Sequence, residues 1–243
     1  MKLPILPSSI VLVVVAVCIG LADWQWRRAH QKQQRLDDIQ IMQDKGVLDW
    51  QNINLLPSGL NKTGLQLTMK GKLQPGQYWL LDNRTLNGQH GYDLLAVFTP
   101  EGSEQGLLVN FGWITQGGGR DFLPSIQLPS ETFSISVQLK QGDLAGFYLD
   151  GAEYTGSGWP KLVQFIDLSQ KAEQTGIELV NYMAYAVNSN NFAQPHYEPV
   201  VMPPEKHFAY ALQWLLIALS AIAVFLFAMR SQSKNKKIIS EVK

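Results

Sequence analysis

The chain has 243 residues with 20 Lys and Arg against 20 Asp and Glu, a formal net charge of zero. No large positive field favours nucleic acid as a partner. The single cysteine, Cys18, lies in an apolar run, which excludes an internal disulfide and a thiolate metal site in the rest of the chain.

Leu3 to Ala22 holds 20 residues without a charge, between Lys2 and Asp23. Its centre, Ile10 to Ile19, is almost entirely Val, Ile, Leu and Ala, and the two prolines fall in the first turns, where a missing N–H costs least. Residues 1–22 therefore read as a first transmembrane helix. Gly20-Leu21-Ala22 forms a small-x-small site of the kind cleaved from secreted proteins, and Val15-Ala16-Val17-Cys18 departs from a lipoprotein box at Val17. Retention as an anchor is the expectation.

Residues 23–46 read as a membrane-proximal helix. Trp24, Arg27, Arg28 and Gln31 share one face, and Gly46 can end the helix. The plain interpretation of Trp24, Trp26 and the arginines is an interfacial belt with snorkelling cations. Residues 47–187 form the middle domain. Val47 to Lys62 is loop-like, and the period then changes to two. Leu65 to Met69, Gln77 to Asp82, Tyr92 to Thr99, Leu107 to Thr115, Thr132 to Leu139, Trp159 to Leu168 and Leu179 to Val187 are expected strands. Asn83 to Gly88 is expected to be a turn, and Gly117-Gly118-Gly119 a flexible one without the context of a phosphate loop. Ser169 to Gly176 is expected to be a short helix capped by Ser169. The spacing suggests a mainly β (α+β) domain, an antiparallel sheet or small barrel, flanked by two transmembrane helices. Residues 188–206, with Pro195, Pro199, Pro203 and Pro204, read as a linker.

From Phe208 to Met229 the chain carries 22 uncharged residues. That is roughly 33 Å of helix, enough for a hydrocarbon core of about 30 Å. Residues 207–229 are thus a second transmembrane helix, and residues 230–243 a basic tail. Two spans return the chain to its starting side. Six cations flank the spans on the terminal side and five on the loop side. This weak bias places both termini in the cytoplasm and the domain outside. Without an Arg- and Ser-rich presequence, a bacterial inner membrane is expected, with the domain periplasmic.

Enzymatic signatures are missing. The sequence has no G-x-S-x-G, no H-E-x-x-H and no paired Cys, and His30, His90, His196 and His207 lack ligand spacing. Asp82 with Asp93, or Asp143 with Asp150, could pair, but turn and strand-edge roles are the expectation. Copper delivery would want Cys or clustered Met and His.

The outer ends of the two spans carry what chemistry remains. The first ends in Trp24, Arg27 and Arg28; the second begins with His207, Tyr210 and Trp214 at i, i+3 and i+7. With only two spans these clusters reach the same bilayer face. An imidazole there could ligate haem iron, arginines could fork onto propionates, and Trp and Tyr could wall a flat macrocycle. The alternative is that His207 sits at the interface because it is amphipathic.

In these residues the chain resembles the surfeit locus protein 1 family, membrane factors for cytochrome c oxidase assembly. The resemblance rests on Trp24-Gln25 with Arg27 or Arg28; on Leu80-Leu81-Asp82-Asn83-Arg84, Gly88 and Gly91-Tyr92; on Leu107 to Trp113; and on Lys206-His207, Tyr210-Ala211 and Gln213-Trp214. It implies a non-enzymatic assembly chaperone of the respiratory chain, with its first helix kept and its β domain outward. It implies transient haem a binding with His207 as the iron ligand, and partners in the oxidase core subunit, the haem a synthesis machinery and membrane lipid. Gly91, Tyr92, Arg84, Gly112 and Trp113 would serve structure or partner docking. One departure stands out: the family's Asn-Arg-Gly-Trp is Asn110-Phe111-Gly112-Trp113 here, so an arginine's role would pass to Arg84 or Arg120, or be absent. A structural scaffold without cofactor and a membrane-anchored periplasmic enzyme are the competing expectations.

Overall fold

The computed structural model describes residues 5–57, 59–117, 123–144, 158–188, 190–200 and 202–241. The chain divides into two units, Met1–Asp37 with Pro199–Lys243, and Asp38–Glu198.

The first unit is built on two long helices, α1 (Ile5–Gln43) and α3 (Pro204–Glu241). Both are long and apolar enough to cross a membrane, the second over Pro204–Ser231. α1 is one continuous helix through the expected membrane-proximal segment. α3 likewise continues past Met229 into the basic segment rather than ending there. On α1 a stripe withdrawn from solvent runs through Val11, Val15, Cys18, Ala22, Gln25, Ala29 and Lys32. On α3 the corresponding stripe runs through His207, Ala211, Trp214, Ala218, Ala221 and Phe225. Both stripes repeat every three or four residues, the pattern of a coiled-coil seam. Cys18, Ala22, Ala29, Ala211 and Ala218 are small and fully buried, which suits close approach of helices where lipid supplies no hydrophobic drive. Elsewhere Leu, Ile, Val and Phe side chains face outward, as a lipid-solvated surface requires.

The second unit is an eight-stranded mixed sheet in the order β1-β2-β6-β8-β5-β4-β3-β7. The strands are β1 (Val47–Asp49), β2 (Gln66–Leu73), β3 (Trp79–Leu86), β4 (Gln89–Pro100), β5 (Gly106–Thr115), β6 (Phe133–Gln141), β7 (Lys161–Val163) and β8 (Leu179–Ala186). A further pairing of β2 with β4 closes β2, β6, β8, β5 and β4 into a five-stranded barrel. Gly71 makes the corner. It pairs with Phe133 on one side and Pro100 on the other, and a Cβ there would stand 2.2 Å from the Thr99 carbonyl oxygen. The expected barrel is present, but it is mixed rather than purely antiparallel. β5 and β8 run parallel, as do the edge pairs β1–β2 and β3–β7.

Period-two burial fills the barrel. Leu65, Leu67, Met69, Leu94, Ala96, Phe98, Leu107, Val109, Phe111, Val137, Leu139, Val180, Tyr182 and Ala184 belong to one apolar cluster. The opposite faces of β3, β4, β5 and β8 supply a second cluster with Trp79, Leu81, Leu95, Val97, Leu108 and Met183, against which Leu168 and Ile177 pack at the ends of α2 (Leu168–Thr175).

Several local expectations change. The cap of α2 is Asp167, not Ser169: its carboxylate accepts from the Ser169 and Gln170 N–H groups at 2.9 and 3.2 Å. Asp167→Ala is expected to cost about 1 kcal/mol, lowering the melting temperature by about 2–4 °C in a circular dichroism melt. Asn83 to Leu86 is strand rather than turn. Asn83, at φ 59°, absorbs the irregular register after Leu81, and the reversal falls on Asn87-Gly88, whose positive φ values of 50° and 77° suit a two-residue hairpin. The 47–62 loop contains β1 and a 3-10 turn at Trp50–Leu55, and the 159–168 strand shrinks to β7. Gly118, Gly119, Arg120 and Asp150 lie outside the described residues.

Segment 190–198 is not a loose linker. Gln194 exchanges both backbone hydrogen bonds with Trp113, at 2.7 and 2.8 Å. The Asn190 amide donates to the Phe111 carbonyl at 3.0 Å. The segment is a strap lying along the end of β5.

Candidate functional site

Two polar constellations stand out, one in each unit. In the helix pair, His207 begins the buried stripe of α3 and is only 6% exposed. Its Nδ1 lies 2.7 Å from the Gln25 side-chain oxygen. Its Nε2 is buried and has no hydrogen-bond partner among the described residues. Lys32 and Arg28 are cations whose charge reaches the ring. Beside it Trp26, His30 and Phe208 form an edge-to-face cluster, with Trp26–Phe208 and His30–Phe208 centroids 5.1 and 5.4 Å apart. The apolar run of α1 precedes this meeting point and that of α3 follows it, so the contact lies at the polar end of both.

The structure therefore brings the polar ends of the two helices together through a partly different set of residues. Trp24, Arg27, Arg28 and Tyr210 are exposed, and Trp214 is partly buried. Arg27 is engaged with Asp23 on its own helix, and Arg28 donates to Gln31 at 3.3 Å. Gln25 touches the imidazole, and Trp26 rather than Trp24 faces α3. One residue along a helix is a rotation of about 100°, enough to exchange faces.

In the barrel unit, Asp93 is buried on β4 and is not at a turn or strand edge. Its carboxylate accepts from the Asn110 amide at 2.8 Å, lies 2.6 Å from His196 Nε2, and has Arg84 Nε at 3.7 Å. Asn110 in turn accepts the Gly112 N–H at 2.9 Å. The hydrogen bond to Asp93 raises the pKa of His196 above its ordinary value, against the opposing pull of burial. Nearby, Tyr185 and Tyr197 stack with ring centroids 3.8 Å apart. Burial, reinforced by Tyr197 and the Asp93 charge, pushes the Tyr185 phenol up. His196 and Tyr197 belong to the strap, so this network fastens the strap to the barrel wall.

The glycine-aromatic pairs of the sequence have structural roles here. A Cβ at Gly91 would stand 2.5 Å from the Trp113 indole. A Cβ at Gly112 would stand 2.2 Å from the Gln194 carbonyl oxygen. Tyr92 is fully buried in the barrel cluster, and Trp113 is 9% exposed. Phe111 is the bulged residue of β5, between the pairs Asn110–Leu95 and Gly112–Leu94, and its side chain belongs to the barrel cluster. It packs on Phe192 of the strap, centroids 5.2 Å apart. Of the two arginines named as substitutes for it, Arg84 is committed to Asp93. Phe111 also floors a cleft of about 690 Å³ with Phe133, Ser134, Asn190 and Phe192, in which Glu131 is the one carboxylate. Among the described residues no group of three His, Cys, Asp or Glu side chains could hold a metal ion.

Two apolar helices that flank a closed mixed β-barrel in the sequence, with a buried imidazole where the helices meet, define a membrane protein of two spans carrying one barrel domain. A model of the SURF1 family matches residues 12–219, most of the chain, and the protein belongs to that family, which is associated with cytochrome oxidase assembly. Comparison with curated proteins finds no matching relative.

Proposed function

We propose that the protein is a non-enzymatic assembly factor of the bacterial inner membrane that holds haem a transiently and presents it to the core subunit of cytochrome c oxidase. In this reading the barrel domain is periplasmic, both termini are cytoplasmic, and the haem a synthesis machinery is the upstream partner. The observation that carries the reading is His207 Nε2: a nitrogen buried at the polar end of two apolar helices, without a hydrogen-bond partner among the described residues. An imidazole nitrogen in that state would suit a ligand to haem iron. Arg28 and Lys32 would meet the propionates, and Trp26 and Phe208 offer flat apolar faces. Tyr210 and Trp214 lie on the His207 side of α3, at i+3 and i+7. Because Nε2 is enclosed when the helices are closed, exposing it requires neighbouring side chains to shift. When bound, haem a would supply an iron centre able to take a nitrogen ligand; the protein's part is to hold, orient and release.

The test is an absorption spectrum of the full-length protein purified from a host that makes haem a. The wild type is expected to carry a haem a band that His207→Ala loses. Stoichiometric haem in His207→Ala rejects the ligand assignment. A haem-free wild type rejects haem holding and leaves a scaffold that joins the oxidase through its helices.

A further inference from the structure

The geometry points to Gln25 as the positioning residue that sets the tautomer of His207 and so makes Nε2 the ligating atom; this rests on the haem-holding reading above. Gln25 and His207 lie 182 positions apart and meet across the two helices, with Nδ1 2.7 Å from the amide oxygen. An amide oxygen only accepts, so Nδ1 must carry the proton. A neutral imidazole has one N–H. With that proton on Nδ1, Nε2 is left as a bare lone pair.

The burial pattern supports this tautomer over the other. Nε2 is enclosed and has no hydrogen-bond partner among the described residues. Were the proton on Nε2, the chain would bury an unsatisfied N–H as well as oppose two acceptors, Nδ1 and the Gln25 oxygen. Orphaned buried N–H groups are rarer than under-satisfied acceptors. Rotating the Gln25 amide would relieve the opposition at Nδ1 but would still leave the Nε2 proton without an acceptor.

The bond also fixes the ring plane. Gln25 sits in the buried stripe of α1, between Ala22 and Ala29, whose small side chains bring that face close to α3. Metal-ligating histidines generally donate their other ring N–H to an acceptor that orients them, and loss of that acceptor costs about 10–100-fold in affinity. Gln25 has that place without any contact to iron.

The experiment uses the full-length protein in lipid nanodiscs, with ring-¹⁵N histidine and His207→Ala as the assignment control. In the haem-free wild type, His207 is expected to show a protonated Nδ1 and a bare Nε2. Gln25→Ala is expected to move the proton to Nε2, and Gln25→Glu, which keeps an acceptor oxygen, is expected to restore the wild-type tautomer. In haem a titrations, Gln25→Ala is expected to bind about 10–100-fold more weakly. Gln25→Glu is expected to recover binding with a more negative midpoint potential, since a carboxylate makes the ring a stronger electron donor; a merely structural role would leave that potential unmoved. A wild-type His207 protonated at Nε2, or equal tautomer and haem affinity in Gln25→Ala, overturns the inference while the haem reading stands. A tautomer that follows Gln25 in a wild type that takes up no haem a overturns the haem reading, and with it the ligating role assigned here.

Discussion

Gly112→Val is expected to destabilise the barrel domain by more than about 4 kcal/mol. Gly112 has φ 120°, a region that residues with a side chain adopt only under strain, at about 1–3 kcal/mol. It follows the bulge at Phe111, and its N–H is held by Asn110. The larger effect is steric. A Cβ there would stand 2.2 Å from the Gln194 oxygen and 2.5 Å from the Pro195 nitrogen, both backbone atoms with no rotamer to yield. Relief requires the strap to lift. Lifting it breaks the paired bonds of Gln194 with Trp113, uncovers Phe111 from Phe192, and pulls His196 from Asp93. Strain together with these losses exceeds about 4 kcal/mol, a large part of the roughly 5–15 kcal/mol that stabilises a domain. The check is a melt of the full-length protein in nanodiscs followed by tryptophan fluorescence. Retention of the wild-type transition to within about 2 °C would show that the strap is not held as described. Gly117→Val, at another positive-φ turn with open space around it, is the control and is expected to cost far less.

What can be read beforehand follows from how locally each feature is encoded. The two spans announce themselves by unbroken apolar length, and the main strands by alternation, because burial on one face repeats every two residues. The inward path of Leu107, Val109 and Phe111 follows from the same period. The cap of α2 falls two residues before the expected one because Asp167 and Ser169 are both good caps, and only the direction of the side chain decides. The strap is illegible in the sequence: Asn188 to Pro204 has the composition of a linker, and nothing local in Gln194 or His196 points to Trp113 or Asp93. The barrel network joins residues 103 apart and the helix contact joins residues 182 apart. Such pairings leave no periodic trace. His207 is visible as a polar residue at the head of an apolar helix. Its partner is not, since Gln25 among Trp24, Trp26, Arg27 and Arg28 looks like the blandest member of an interfacial belt.

Asp93→Ala is expected to cost about 3 kcal/mol or more and to abolish a pH dependence that the wild type shows near neutrality. The carboxylate is the shared acceptor of a buried network, and removing it orphans the Asn110 amide and the His196 ring while leaving the Arg84 charge without its counterion. The pH dependence follows from His196. Its folded-state pKa is raised above the unfolded value of about 6.5, first by the hydrogen bond to Asp93 and then by the charge of that group, with burial and Arg84 opposing. A histidine with a raised folded pKa binds its proton more tightly in the native state. Its contribution is therefore fully present below the unfolded pKa and is lost as pH rises through the folded one. The wild-type barrel is expected to lose stability as pH climbs from about 6 through that upper value, and the loss should be seen in urea melts taken across the range. In Asp93→Ala the His196 contribution to that slope vanishes and the midpoint falls at every pH. Asp93→Asn separates charge from shape. A neutral amide can accept from Asn110 and donate to a His196 that carries its proton on Nδ1, so the expected loss is smaller, about 1–3 kcal/mol. It stabilises the neutral ring, so the wild-type slope should flatten or reverse. Persistence of the wild-type slope in Asp93→Asn would mean that the charge of Asp93 does not hold the strap proton.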